Sequence, residues 1–259
     1  MKPQQDPYAA LSTRLADTRF SQIRYREQTE STNRDASALL GEPGSAGLTI
    51  VAGFQHAGAG RKGRAWLAPA GSALLFTTLL PEPLSTEALW LVPFWSACIV
   101  HGALADAGIP TRAQWPNDLL LEGRKLAGML AVSRVSGERA YVGCGIGINL
   151  VRYPEADRSV EPPPAFCDDL RPIEAADLLG AILERADTTF DEFARPAELV
   201  QRWERIAGLP GMRYRLLPEG EREPFEARAL GLETGGALRV ERSDGSILSV
   251  GLGDVRALR

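Results

Sequence analysis

From Ala88 to Ala105 the chain carries no Asp, Glu, Lys or Arg, and no other segment of its 259 residues resembles that run. A stretch so long and so apolar has two homes, a bilayer or the interior of a domain large enough to surround it. Pro93, Ser96, His101 and Gly102 interrupt it, so the reading is a buried core helix, Thr86 to Ala107. The length suggests one large domain, or a large one with a small one appended, and either buries a real core.

The remaining composition excludes whole classes. With 44% apolar and 24% charged residues, 26 Gly and 18 Pro, the chain is neither collagen-like, disordered, nor a disulfide scaffold. Cys98, Cys144 and Cys167 form no C-x-x-C pair, and His56 and His101 lie far apart, which argues against a zinc site. A net charge of −4 supplies no global basic field for nucleic acid or anionic lipid, so anion binding must be local. The N-terminus has no apolar core of a secretory signal, and a cytoplasmic protein is expected. Only three lysines, Lys2, Lys62 and Lys125, stand against 26 arginines.

Read for elements, residues 8 to 17 suggest a short helix with Leu11 and Leu15 on one face, and Phe20 to Arg26 a strand. Thr29 to Asn33 stand before Ala36 to Leu40 as helix caps do. Leu48 to Phe54 and Ser72 to Leu80 read as buried strands, and Thr111 to Trp115 as a short one. Lys125 to Val135 and Arg139 to Ile148 form a hairpin turning at Ser136 to Glu138. Tyr153 to Pro172 is a long Pro-rich acidic loop. Glu174 to Phe193 and Pro196 to Ala207 are helical by apolar spacing. After Leu209-Pro210-Gly211, short strands with turns at Glu219-Gly220, Thr234 to Gly236 and Asp244-Gly245 predict a small β-barrel.

Gly58, Gly60 and Gly63 satisfy the G-x-G-x-x-G pattern directly after a predicted strand. A dinucleotide site needs a helix opening at the third glycine, yet Pro69 and Gly71 break any helix there, and the acid expected about 20 residues on would be Glu82, between two prolines. The phosphate loop of NTPases fails too, since Arg64 and Ala65 hold its Lys and Ser/Thr positions. A solvated surface hairpin is the plain alternative. Against it, Arg61, Lys62 and Arg64, with no acid nearby and free glycine amides, make a local anion cradle, and Trp66 adds a flat apolar face.

Trp115-Pro116-Asn117-Asp118 ends a strand, and Lys125 follows seven residues later across Gly123. An acid, an amide and a lysine so spaced can face one point from adjacent strands. Asp118 suits Mg²⁺, and Lys125 could neutralise a carboxylate and a phosphate as they approach; a turn with a solvated tip is the bland alternative. Gly143, Gly145 and Gly147 alternate with apolar residues up to Asn149, as strand glycines do where a flat ligand approaches or a bulge forms. A ring could lie on them while Asn149 reads a base edge.

Five segments in this order, around Ser31-Thr32-Asn33, Gln55 to Trp66, Trp115 to Asp118, Arg124 to Gly128 and Gly145 to Asn149, resemble the biotin protein ligases. The resemblance implies an α/β (α+β) catalytic domain with a mixed β-sheet covered by helices at 28–208, an SH3-like β-barrel at 209–259 and an N-terminal extension at 1–27. It implies ATP-dependent formation of biotinyl-5′-AMP, then transfer to a lysine of a biotin carboxyl carrier protein, a subunit or domain of acetyl-CoA carboxylase.

Carried over by position, biotin would meet Ser31, Thr32, Asn33, Gln55, Gly58, Ala59, Gly60, Gly128 and Gly145, with Arg61 and Lys125 at its carboxylate and the α-phosphate as catalytic cations. Arg64, Trp66, Asn117 and Asn149 would meet ATP, Trp66 and Asn149 at the adenine, and Asp118 would hold Mg²⁺. The glycine loop would close over biotin and shield the adenylate from water. Ala59 stands where the family usually has arginine: the loss is small if that position acts through its backbone amide and weakens adenylate retention if its side chain grips phosphate. His56 is an uncommon neighbour of Gln55. Some 30 residues before Ser31 are too few for a DNA-binding domain, so no repressor activity, no DNA and no membrane partner are expected, while a homodimer stays open. Rival readings are a lipoate or octanoate ligase, whose Arg-Arg-x-x-Gly-Gly-Gly pattern is absent, and a non-catalytic biotin or nucleotide sensor.

Overall fold

The computed structural model describes residues 6–156, 163–218, 223–252 and 255–258. Its large sheet has eight strands: β1 (Ile23–Thr29), β2 (Thr49–Gln55), β3 (Ala73–Leu79), β4 (Leu84–Ser85), β5 (Arg112–Gln114), β6 (Asp118–Leu121), β7 (Arg124–Ser136) and β8 (Arg139–Asn149). They run in the order β1-β2-β3-β8-β7-β6-β5, with β4 pairing the start of β8. The β1–β2 pair is parallel and the others antiparallel, making the sheet mixed.

Side chains alternate across a strand, and the two faces have different work. Val142, Cys144, Ile146 and Ile148 of β8, Leu74 and Phe76 of β3 and Val51 of β2 enter the main core. The glycines between the apolar residues of β8 leave the opposite face bare. Over part of that face lies α2 (Thr32–Ser37), whose Ala36 packs with Leu40, Leu48, Ile50 and Leu79 in a second, smaller core.

The uncharged run forms a 3₁₀ stretch, Thr86–Leu91, continuing into α3 (Val92–Asp106) with Pro93 in its first turn, where proline's missing N–H is harmless. Thr86–Asp106 is long and apolar enough to cross a membrane, but Phe94, Trp95, Ala97, Ile99 and Val100 are buried at 2% exposure or less against sheet and helices. The core-helix expectation is met. Against α3 pack α4 (Ala175–Thr189) and α5 (Pro196–Ala207), the latter ended by left-handed Gly208 as helix C-termini commonly are. Trp95 fixes the α3–α4 contact by donating Nε1–H to Thr189 Oγ1 at 3.0 Å.

The C-terminal part is a separate five-stranded antiparallel sheet of β9 (Arg213–Pro218), β10 (Phe225–Leu232), β11 (Leu238–Arg242), β12 (Ile247–Val250) and β13 (Val255–Leu258), ordered β12-β11-β10-β9-β13. Trp115 stitches it to the larger part: its backbone N–H donates to Tyr214 Oη at 3.2 Å and its indole N–H to the Gly236 carbonyl at 3.0 Å.

Four expectations shift. The first helix shortens to Leu11–Arg14, α1, and the strand expected at Phe20 to Arg26 lies at Ile23–Thr29. Leu11, Leu15 and Phe20 nonetheless belong to the main core. Helix α2 starts at Thr32, earlier than the caps implied, and Ser31 makes no side-chain cap. Strand β6 was unread because three consecutive leucines buried on both faces show no alternation. The Glu219-Gly220 turn and residues 157–162 of the Pro-rich loop lie outside the described residues.

Candidate active site

The bare face of β8 and β7 is the floor of an open pocket of about 200 Å³, walled by α2, the β2–β3 loop, Tyr153 and Pro164. One end is neutral and hydrogen-bonding. Gln55 Oε1, at the end of β2, accepts from the Thr32 backbone N–H at 2.7 Å and lies 3.0 Å from Thr32 Oγ1. Gln55 lines the pocket, and its Nε2 lies beside Gly58, 3.1 Å from where a Cβ there would stand. Asn33 donates Nδ2–H to the Leu130 carbonyl at 3.1 Å, and its Oδ1 is 2.8 Å from Thr77 Oγ1. Ser31, 7% exposed, completes this end.

The other end is cationic and aromatic. The β2–β3 loop is a miniature hairpin, with Trp66 N–H donating to the Gly58 carbonyl at 2.8 Å and Gly60 N–H to the Arg64 carbonyl at 2.7 Å. Gly58 is required by this turn, since a Cβ there would meet the Trp66 carbonyl at 2.8 Å. The hairpin lays the Trp66 indole on the sheet: a Cβ on Gly147 would stand 2.7 Å from its Cε2, and one on Gly128 3.0 Å from its Cζ3. The ring lying on the glycines is therefore the protein's own. Gly145, by contrast, makes room for Asn33, whose Oδ1 a Cβ would meet at 2.1 Å.

Lys125 opens β7 beside Asp118 at the start of β6, and Nζ reaches Asp118 Oδ1 at 2.8 Å, with side chains 22% and 14% exposed. The same ammonium stands 5.3 Å from the Trp66 ring centre, an attractive cation–π geometry. Arg61 comes from the loop tip, with Nη1 3.5 Å from Asn117 Oδ1 and Nη2 donating to the Leu252 carbonyl, two residues past β12. Burial, reinforced by the charge of Arg64, lowers the Arg61 pKa, opposed in part by Asp118. The site thus spends free energy to keep a cation poised there.

Most sequence-predicted residues line this one pocket: Ser31, Asn33, Gln55, Ala59, Gly60 and Arg61, then Arg64, Trp66, Asn117, Lys125, Gly128, Gly145 and Asn149. Thr32, Gly58 and Asp118 act from behind it, on Gln55, Trp66 and Lys125. Asn117 has committed one amide hydrogen and Asn149 both. Asn117 Nδ2 donates to the Met129 carbonyl at 2.8 Å, and Asn149 Nδ2 to those of Ala165 and Lys125 at 3.0 and 3.3 Å. Asn149 can therefore meet a ligand only as an acceptor through Oδ1. Ala59 is exposed and bridges backbone to backbone with Ala65. His56 faces solvent and Gln28, 3.1 Å away. No group of three or more metal-ligating side chains exists among the described residues.

Sequence reasoning missed Thr77, the fully buried hydroxyl behind Thr32 and Asn33; a polar residue inside an apolar strand was its only signal. It also missed Tyr153 and Pro164 at the rim.

The sequence profile of the biotin/lipoate A/B protein ligase family matches residues 25–149, where most of this pocket is built. Fold and site together define a member of that ligase class. A biotin--[acetyl-CoA-carboxylase] ligase of Paracoccus denitrificans is 36% identical over 179 residues, 64% of this chain and 73% of the relative. The bifunctional ligase/repressor BirA of Bacillus subtilis is 29% identical over 242 residues, 85% and 70% of the two chains. In fold, the chain matches a biotin protein ligase from Aquifex aeolicus in complex with biotin and ATP, with a TM-score of 0.75 over 93% of this chain and 100% of that one, at 24% identity. The chain belongs to the biotin protein ligase family.

Proposed function

We propose that the chain activates biotin with ATP and transfers it to a carrier-protein lysine. One observation carries this reading: a single pocket joins a neutral hydrogen-bonding end to a cation pair and an indole, in the order ureido ring, carboxylate, nucleotide. Gln55 Nε2 and Ser31 Oγ donate to the ureido oxygen, and Asn33 accepts. The biotin carboxylate attacks the α-phosphorus of ATP, forming a C–O–P bond as pyrophosphate leaves. Lys125 and Arg61 offset the negative charge that gathers as two anions meet. The carrier lysine, as free amine, then attacks the acyl carbon; an amide forms and AMP departs.

Lys125 does this better than arginine would, because a compact ammonium reaches carboxylate and phosphate together. The Trp66 Nε1–H, buried without an acceptor among the described residues, and Asn149 Oδ1 are the groups left for the nucleotide. Asp118 alone does not make a resident metal site, since Lys125 already pairs with it. A Mg²⁺ ion would arrive on the ATP phosphates, with Asp118 as at most one of its ligands; Asp118's firm role is to orient Lys125.

The partner is a carboxylase carrier protein. The domain limits 1–27, 28–208 and 209–259, and an SH3-like closure of the C-terminal sheet, are part of the same proposal. So are a cytoplasmic location and the absence of DNA and membrane partners, supported by the net charge of −4 and the buried α3. A homodimer is compatible with it. The test is biotin-dependent exchange of pyrophosphate into ATP, run beside lipoate. Exchange with biotin alone is expected. Exchange with lipoate alone would refute the reading, and tight biotin binding without exchange would make the protein a sensor. Lipoate is disfavoured because its apolar ring would offer no partner to buried Ser31 or to the Gln55 amide nitrogen.

A further inference from the structure

Behind the neutral end of the pocket, the hydrogen atoms do not suffice for the contacts. Three oxygen–oxygen contacts run in series: Gln55 Oε1 to Thr32 Oγ1 at 3.0 Å, Thr32 Oγ1 to Thr77 Oγ1 at 2.8 Å, and Thr77 Oγ1 to Asn33 Oδ1 at 2.8 Å. Each needs one proton, and only the two threonine hydroxyls have one to give. Turning either amide over does not help. Gln55 Oε1 is held by the Thr32 N–H at 2.7 Å, and Asn33 Nδ2 by the Leu130 carbonyl at 3.1 Å, so each flip would set like groups against each other. Thr77 is 0% exposed. Whichever way the hydroxyls rotate, one contact has two facing lone pairs, a costly arrangement away from water.

We propose that Thr77 is a specificity-determining positioning residue: its hydroxyl holds Thr32 and Asn33 in an acceptor-rich cluster that favours a ligand bringing N–H donors over one that brings none. Asn33 Oδ1 stands over Gly145 at the pocket floor, where a ligand N–H would reach it. That donor supplies Asn33 Oδ1 directly, so the Thr77 hydroxyl can turn to Thr32 and the Thr32 hydroxyl to Gln55, and the Thr77–Asn33 contact is free to lengthen. A cyclic urea has two such N–H groups beside one carbonyl oxygen, which matches the cluster together with Gln55 Nε2. A dithiolane or alkyl chain has none. The inference rests on the biotin reading and adds the residue that makes the urea, rather than the sulfur ring or the acyl chain, the recognised part.

Thr77→Val keeps the shape and removes the hydroxyl. Its expected effect is a rise of about 10- to 100-fold in the KM for biotin and the Kd for desthiobiotin, which shares the urea but lacks the sulfur ring. The kcat at saturating biotin and the KM for ATP should stay within about twofold, and Thr77→Ser should restore biotin affinity. If Thr77→Val does not fold, Thr77→Ala takes its place. Unchanged biotin affinity in a folded variant, equal rises for biotin and ATP, or a loss for biotin but not desthiobiotin would overturn the proposal. A wild-type protein that binds no biotin in calorimetry would instead overturn the biotin reading, and this proposal with it.

Discussion

Gly145 and Gly147 lie two residues apart on one face of β8, and each supports a different half of the pocket, so alanine at either should separate the two substrates. In Gly147→Ala the new methyl would stand 2.7 Å from Cε2 and Cζ2 of Trp66, where carbon contacts settle at about 3.5–4.0 Å. The indole must lift by about 1 Å or the strand must shift. Overpacking of this kind costs about 1–3 kcal/mol. Alanine in a strand recovers about 0.5–1 kcal/mol of glycine's backbone entropy, and the loop can yield, so little of the cost should appear in folding. It should appear where Trp66 meets the nucleotide, raising the KM for ATP about 5- to 150-fold while the KM for biotin moves less than about twofold. Gly145→Ala should do the reverse. Its methyl would stand 2.1 Å from Asn33 Oδ1, and Asn33, tied to Leu130 and Thr77, has no room to retreat. The assay is pyrophosphate exchange titrated in each substrate, with melting temperatures as control. If each variant raises both KM values together, or Gly147→Ala leaves the ATP KM unmoved, the division of the floor is wrong.

Lys125→Ala should fold, because Asp118 keeps partial access to water, yet lose at least about 100-fold in exchange; near-wild-type turnover would remove Lys125 from its role. Asp169 binds Arg152 Nε at 2.9 Å, Arg124 Nη2 at 3.0 Å and the Phe166 N–H at 3.1 Å, fastening residues 163–169 beside Lys125. Burial opposes its ionisation but is outweighed by the Phe166 and Arg152 bonds and the two guanidinium charges, so its pKa is lowered. A lowered carboxylate stabilises the fold above its unfolded pKa of about 3.9, and that stability is lost as pH falls through the folded value. Urea unfolding should therefore show wild type ahead of Asp169→Asn by about 1–2 kcal/mol at pH 7, with the gap closing below about pH 4; a gap independent of pH refutes this. Cys98, Cys144 and Cys167 are buried with thiols pushed up to about 12. A thiol reagent at pH 7.5 should label none in the native protein and all three in denaturant, and fast labelling of any one would contradict the packing.

The site's inventory was legible because its chemistry is written in residues that serve no other purpose in those places. Glycines alternating with apolar side chains predict a strand with one face in the core and one face bare. A lysine seven residues beyond an aspartate, across a glycine turn, predicts that both face one point from adjacent strands; that Lys125 and Asp118 pair with each other there, at 2.8 Å, is the structure's addition. The uncharged run could only be a core helix once it was alone and interrupted.

What the sequence could not contain is which partner each group chooses, because those choices depend on distances between strands far apart in the chain. Strand periodicity determined by itself that Gly145 and Gly147 face the same way. Only the packing decided that one makes room for Asn33 and the other for Trp66, so that the flat ring on the sheet belongs to the protein. Sequence named Asn149 as a reader of a base, while the carbonyls of Lys125 on β7 and of Ala165 beyond β8 took its amide hydrogens. Thr77 was invisible, a threonine among buried apolar residues, until β3 came within hydrogen-bond reach of α2. Local sequence specifies which groups are present and which way they point; hydrogen-bond partnership is set by tertiary distance, since a contact at 2.8 Å and a gap at 5 Å call for the same residues.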